Sequence, residues 1–441
     1  MPIYKGTRHV LLGGLRAIKY LLRATFDAPD QSFSDGQVLD TPAEGVKDGQ
    51  LTCVIKDGGL SISGNKLSFS VQETAVWGDL GCYSQAITRV FGIGLFWLEN
   101  ISTEQGHNIG FAKSAGIFAS VDTEIAYIFH PTTLDRLWIY VGGIREGGDF
   151  SYFSSTDFHL AIILGGYDSG GIAWHSGQNK SQYMYGAAFF GKGGGIGDGV
   201  SWTLLWRTDQ GNASPLYGTF SNYNASGTLD NFRVPDADLS AVLQPLVLDT
   251  FTDSDGTSLD AHTPEVGGGW TEQSGNWETQ SNKARTATTG GAGIATFDAG
   301  VSDMLFDVTV TTPASGTTPG GLVVRYTDDN NYWYVKITPG TDGTDFELIE
   351  VNGGTPTTRA SADVDWAAST AYKIRVIVDG NDYWKVYVDG TEKLSYTTAN
   401  SFNATATKCG LKDEGDANFQ FDNVAVFART SGAYDAVLGS V

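Results

Sequence analysis

The chain has 441 residues, 41% of them hydrophobic, with 11 Trp, 19 Tyr and 23 Phe beside 57 Gly, and a formal net charge of −22. Such a length allows about two to four domains, and the richness in aromatics and glycine predicts an all-β protein of pleated surfaces and tight turns. The charge argues against nucleic acid or an anionic bilayer as partner, since both would be repelled, and no run of about eighteen apolar residues exists to cross a membrane as a helix.

Residues 1–24 differ from everything after them. They carry Lys5, Arg8, Arg16, Lys19 and Arg23 and no acid. The apolar stretch at 10–15 is shorter than the core of roughly seven to fifteen residues that a secretory signal needs. Leu11, Leu12, Leu15, Ile18 and Leu22 fall near helical spacing, but Gly13 and Gly14 weaken a helix there. The expectation is a basic docking arm that packs on its own domain or joins a partner.

The body then says nearly the same thing twice. TFDAPDQSFSDGQVLDTP at 25–42 is answered by TFTDSDGTSLDAHTP at 250–264, and LDNFRV at 229–234 by FDNVAV at 421–426. Opening and closing motifs that recur together mark a duplicated unit, here of whole-domain size. The predicted division is 25–234 for the first unit, 235–247 for a linker bounded by Pro235, 248–428 for the second unit and 429–441 for a tail. DLSAVL at 238–243 resembles YDAVL at 434–438, so each unit carries its own trailing segment.

Strands are predicted in the first unit at 136–144, 159–167, 183–191 and 201–209, and WTLLWRTD is expected to stand where YKIRVIVDG stands in the second. The glycine-rich 191–199 lacks a GKS or GKT ending and a following helix, so it is not a phosphate loop. In the second unit, β-branched and aromatic runs at 322–326, 332–337, 346–351, 372–378, 384–388 and 421–427 are separated by DDNN, PGTDGT, DGND and DGTEK turns. Many short strands with regularly spaced turns predict a sandwich.

The TF…D…G…L…TP opening, RYTDDNNYWYVKI, the YKIRVIVDG and WKVYVDG pair and the closing Asp-Asn strand resemble concanavalin A-like jelly rolls, the lectin, glucanase and laminin-G-like superfamily. The resemblance covers nearly all of the second unit and mainly the ends of the first. It implies an all-β fold of two tandem jelly-roll sandwiches. The tandem arrangement is also similar to structural proteins of tailed bacteriophages. Such folds host enzymes, lectins and spacers alike.

The glucanases of that superfamily carry a Glu-x-Asp-x-x-Glu strand for acid and nucleophile roles, and this chain has none. Its six histidines are scattered, and no Gly-x-Ser-x-Gly elbow occurs. The protein is therefore expected not to be an enzyme, with a glycoside hydrolase the least favoured reading. Cys53, Cys82 and Cys409 form no framework; Cys53 and Cys82 either pair or are buried thiols. Asp249, Asp253, Asp255 and Asp422 are the candidate ligands for calcium, because a hard cation wants several oxygens on a bent loop; the competing role is ordinary Asp turn chemistry. Trp174, Trp333 and Trp384 are the candidate glycan-stacking residues, against core packing as the alternative. In YWYV at 332–335, alternation places Trp333 on one face and Tyr332 with Tyr334 on the other. The leading expectation is a virion structural protein, in the capsid or tail, at the virion surface. It would contact other virion proteins through residues 1–24, form a homo-oligomer or symmetric assembly, and meet cell-surface glycans. The alternative is a glycan-binding module of a secreted or cell-surface protein.

Overall fold

The computed structural model describes residues 20–438 except 57, 71–78, 88–92, 102–105, 113–114, 116–123, 131–135, 142–143, 152–157, 165–186, 194–199, 209–215, 224–226, 236–238, 288–290, 341–342, 381–382 and 417. Among the described residues the chain is built on four antiparallel sheets, in agreement with the all-β expectation. One sheet runs Leu60–Ser63, Lys66–Phe69, Gly227–Pro235, Ile93–Ile101, Phe158–Leu164, Ala187–Gly193, Thr203–Arg207. Another runs Trp277–Thr279, Ala284–Thr286, Gln420–Ala428, Met304–Thr311, Ala371–Asp379, Tyr383–Val388, Thr391–Tyr396. These are the inner sheets. The two outer sheets run Leu51–Ile55, Leu80–Ser84, Tyr217–Tyr223, Gly106–Ala112, Glu124–His130, Arg136–Val141, Ile144–Ser151, and Thr271–Ser274, Gly293–Asp298, Lys408–Asp413, Gly320–Asp328, Asn331–Ile337, Phe346–Asn352, Thr355–Ala362.

Taken in order, these seven strands of one inner sheet match the seven of the other, and likewise for the outer sheets; Gln31–Ser32, Val46–Asp48 and Val38–Leu39 of the first half have no counterpart. The likeness of the end motifs thus runs on through these seven-strand orders. One detail is corrected: Thr203–Arg207 corresponds to the edge strand Thr391–Tyr396, and it is Phe158–Leu164 that stands where Ala371–Asp379 stands. Both lie inside their sheets, Phe158–Leu164 almost wholly apolar and Ala371–Asp379 carrying Lys373 and Arg375 among its apolar residues.

The repeat reaches single backbone angles. Phe26 and Phe251, following Thr25 and Thr250, both have positive φ, 52° and 50°. Asn231 and Asn423, following Asp230 and Asp422, have φ of 51° and 50°. Bulky residues avoid this region, at a cost of about 1–2 kcal/mol each, so tertiary structure imposes it. In each closing strand the ladder shifts register beside the Asp-Asn step, as at a β-bulge. The Asp carboxylate accepts the main-chain N–H of its Asn, at 2.6 Å for Asp230 and 2.7 Å for Asp422.

Within each half, alternate residues of the inner sheet meet the outer sheet. Leu95 packs toward Gly218, while Phe306, Val376 and Val386 share a buried cluster with Leu322, Trp333 and Leu348. Burial of each such side chain contributes about 1.5–3 kcal/mol. The other faces of the inner sheets are buried too, at a seam between the halves. Leu305, Ile377, Tyr387, Ala425 and Phe427 of the second half belong to the same apolar cluster as the first half's core. Trp206 meets Tyr387 edge to face at 4.9 Å. Asp307, fully buried, is gripped by Arg375 through Nε and Nη2, both at 2.7 Å.

Three predicted boundaries shift. Tyr20–Ala24, expected to end the arm, is a strand paired with Gly227–Pro235 and Val46–Asp48, with Leu22 and Ala24 buried; residues 1–19 lie outside the described residues. The linker is packed, since its 3-10 turn Ser240–Leu243 buries Val242 and Leu243. The tail forms a helix, Gly432–Leu438, that docks on the first half: Tyr434 meets Phe190 at 5.1 Å, and Asp435 accepts the N–H of Trp202 at 2.8 Å. Cys53 and Cys82 are cross-strand partners yet remain free, buried thiols.

Candidate functional site

Trp333 and Trp384 do not form the expected exposed platform. Both are fully buried and stack on each other at 4.6 Å, and Trp333 Nε1 donates to the Phe402 carbonyl at 3.1 Å. Their alternation points them between the sheets of the second half. Trp174 lies outside the described residues.

The same alternation turns Tyr332 and Tyr334 to the open face of the outer sheet. There they join Ile294, Val323, Tyr326, Ile349 and Val351 in an apolar cluster separate from the core. A groove of about 460 Å³ lies over it, within the usual range of small-molecule sites. Lys412 leans across, its Nζ 4.5 Å from the Tyr334 ring centre, and donates to Tyr332 Oη at 3.1 Å. Lys412 also pairs with Glu414 at 3.3 Å, and Lys336 with Glu347 at 3.1 Å. Gly354, Pro356 and Thr358, at the sheet edge, complete the lining.

One polar atom of this groove stands apart. Tyr334 Oη is buried and has no hydrogen-bond partner. Burial first, and then the negative charge of Glu414 and its neighbours, hold its pKa well above the usual value. The hydroxyl therefore stays protonated, a donor lacking an acceptor. Alternation in YWYV was the sequence signal for this pair, but sequence alone left open which face lay inward.

Each of the four candidate calcium ligands makes hydrogen bonds within the protein. Asp249 is fully buried and accepts from Trp270 Nε1 at 2.5 Å and from the Phe251 N–H at 2.7 Å, with His262 Nε2 at 2.9 Å. His262 Nδ1 lies 3.3 Å from Asp253, so the ring bridges two of the expected ligands. Burial alone would push the imidazole's pKa down; Asp249, joined by Asp253, outweighs it and holds the pKa above the usual value. Asp255 accepts from Gln280 and Ser281. Asp422 is pushed up to about 6 by burial, opposed by the Asn423 N–H and Lys283 and reinforced by Asp249 and Glu265. Among the described residues, no group of three or more His, Cys, Asp or Glu converges to hold a metal ion. Nor is any described helix long and apolar enough to cross a membrane.

No family model and no curated protein matches the chain. Solved structures do. The chain is similar to the carbohydrate-binding module CBM66 from Bacillus subtilis, at 15% identity over 36% of this chain and 95% of that one, with a TM-score of 0.30. It is similar to domain 4 of a GH43 extracellular arabinanase from Geobacillus stearothermophilus, solved with arabinotriose, at 15% identity over 45% and 98%, TM-score 0.29. A Bacillus subtilis protein with a galectin-like fold matches at 10% identity over 40% and 98%, TM-score 0.29.

Proposed function

We propose that the protein is a glycan-binding protein built from two concanavalin A-like sandwiches, and that the groove over Tyr332 and Tyr334 is a saccharide site. The groove over the Tyr332 and Tyr334 rings carries this reading, with the unpartnered Tyr334 hydroxyl buried beneath its floor. A buried donor without an acceptor costs about 1–3 kcal/mol, and the groove's charged groups are already paired with one another. A sugar supplies both things the groove lacks. Its ring and hydroxyl oxygens accept hydrogen bonds, and its C–H face packs on apolar and aromatic surface.

The expectation of a virion protein rested on the tandem arrangement, with residues 1–24 as its docking arm; most of that arm lies outside the described residues, and nothing in the comparisons ties the chain to a virion. The calcium proposal likewise has no supporting geometry.

The test is Tyr334→Phe, which deletes the orphan hydroxyl and keeps the ring. Arabinotriose, cellotriose and maltotriose are titrated into the full chain and into the variant. The variant should be at least as stable as the parent and bind the accepted sugar several-fold more weakly. Unchanged affinity would remove Tyr334 from the site, and a parent that binds no sugar would sink the reading.

A further inference from the structure

The groove crosses strands instead of following one. Its lining comes from Lys408–Asp413 with the following Glu414, from Asn331–Ile337, and from the hairpin of Phe346–Asn352 and Thr355–Ala362 with its turn residue Gly354. Gly320–Asp328, between the first two, contributes no side chain to the lining. Gly321 faces Lys412 on one side and Lys336 on the other. Its φ is +154°, and a Cβ there would lie 1.9 Å from the Val335 carbonyl oxygen and 3.2 Å from Tyr334 Cε2. The missing side chain leaves the gap across which Lys412 reaches Tyr334. From the strand of Lys412 to that of Thr358 is four strand spacings, about 19 Å, the length of several sugar rings joined end to end. Charge narrows the ligand further. Lys336 and Lys412 are balanced by Glu347 and Glu414, in a chain of net charge −22.

We infer that the ligand is a linear, uncharged oligosaccharide lying across the strands, with several consecutive rings in the groove. This rests on the saccharide reading above. A single terminal sugar would leave most of the groove's length empty. A uronate polymer would have to displace Glu347 or Glu414 from its lysine against the repulsion of the whole chain.

The experiment is calorimetric titration of the full chain with arabino- and cello-oligosaccharides of one to six units, and with oligogalacturonates of the same lengths. Affinity for a neutral series should rise several-fold per ring through the third or fourth and then level, with the acidic series weaker throughout. A monosaccharide that binds as tightly as the tetramer overturns the extended mode while leaving a saccharide site in place. Tighter binding of oligogalacturonates overturns the uncharged class. Silence with every sugar overturns both this inference and the reading beneath it.

Discussion

Arg375 in the second half donates through Nη1 to the main-chain carbonyl of Arg207 in the first, at 2.6 Å, while its other nitrogens hold Asp307. Its guanidinium also lies 4.2 Å from the ring centre of Trp206. One side chain thus satisfies a buried carboxylate and crosses the seam. Arg375→Ala should destabilise the protein by about 3 kcal/mol, the lower end of the usual cost of breaking a buried pair, because Lys373 still lies 3.8 Å from Asp307. Replacing both Asp307 and Arg375 by Leu should recover much of that loss. Denaturant unfolding measures both, and a single variant that unfolds like the parent would show the pair to be dispensable.

Trp333 and Tyr334 are neighbours in sequence with opposite roles. Trp333→Ala should cost about 3–5 kcal/mol through loss of core packing, while the folded fraction keeps its sugar affinity. Binding lost in proportion to Trp333 truncation, at unchanged stability, would reverse the assignment.

The His262 bridge gives a pH signature. A histidine whose folded pKa is raised contributes stability that is full below its unfolded value, about 6.5, and is lost as pH rises through the folded value. His262→Gln should therefore lower the melting temperature most near pH 6 and progressively less toward pH 9. A difference that grows with pH would show that the ring is held neutral.

Asp230 and Asp422 also weaken the fold as pH rises, but because their charge is disfavoured. Burial pushes both up to about 6, so their ionisation disfavours the fold as pH rises from about 4. Asp230→Asn and Asp422→Asn keep the acceptor for the following N–H and remove the charge. Each should raise the melting temperature at pH 8 by about 2–4 °C, on the scale of 1 kcal/mol, and have little effect near pH 4. A loss of stability at pH 8 would mean that the charge itself is needed.

These residues also show what a sequence reader can reach. Thr25-Phe26 against Thr250-Phe251, and Asp230-Asn231 against Asp422-Asn423, were legible because the same unusual backbone demands the same short motif twice. The strands around Trp333 were legible because alternation is local. Which face of YWYV points inward was not, since that depends on Trp384 and Phe402 arriving from distant strands. The carboxylates read as a cation site because their loop is rich in oxygens, but His262 is folded between two of them by contacts no spacing records. The Arg375 to Arg207 bond joins positions 168 residues apart, and Gly321 gained meaning only when Lys412 was seen to reach across it.

The C-terminal helix changes what kind of object a duplication has produced. Tandem repeats are ordinarily beads, which can be cut apart or multiplied along a string. Here the polypeptide leaves the first half at Pro235, builds the second and comes home: Thr430 bridges to Thr203, and Tyr434 and Leu438 bury themselves beside the first half's core. The second half is thus tied to the first by its own last helix as well as by the connection at Pro235. A nick in that connection would leave two fragments still clasped.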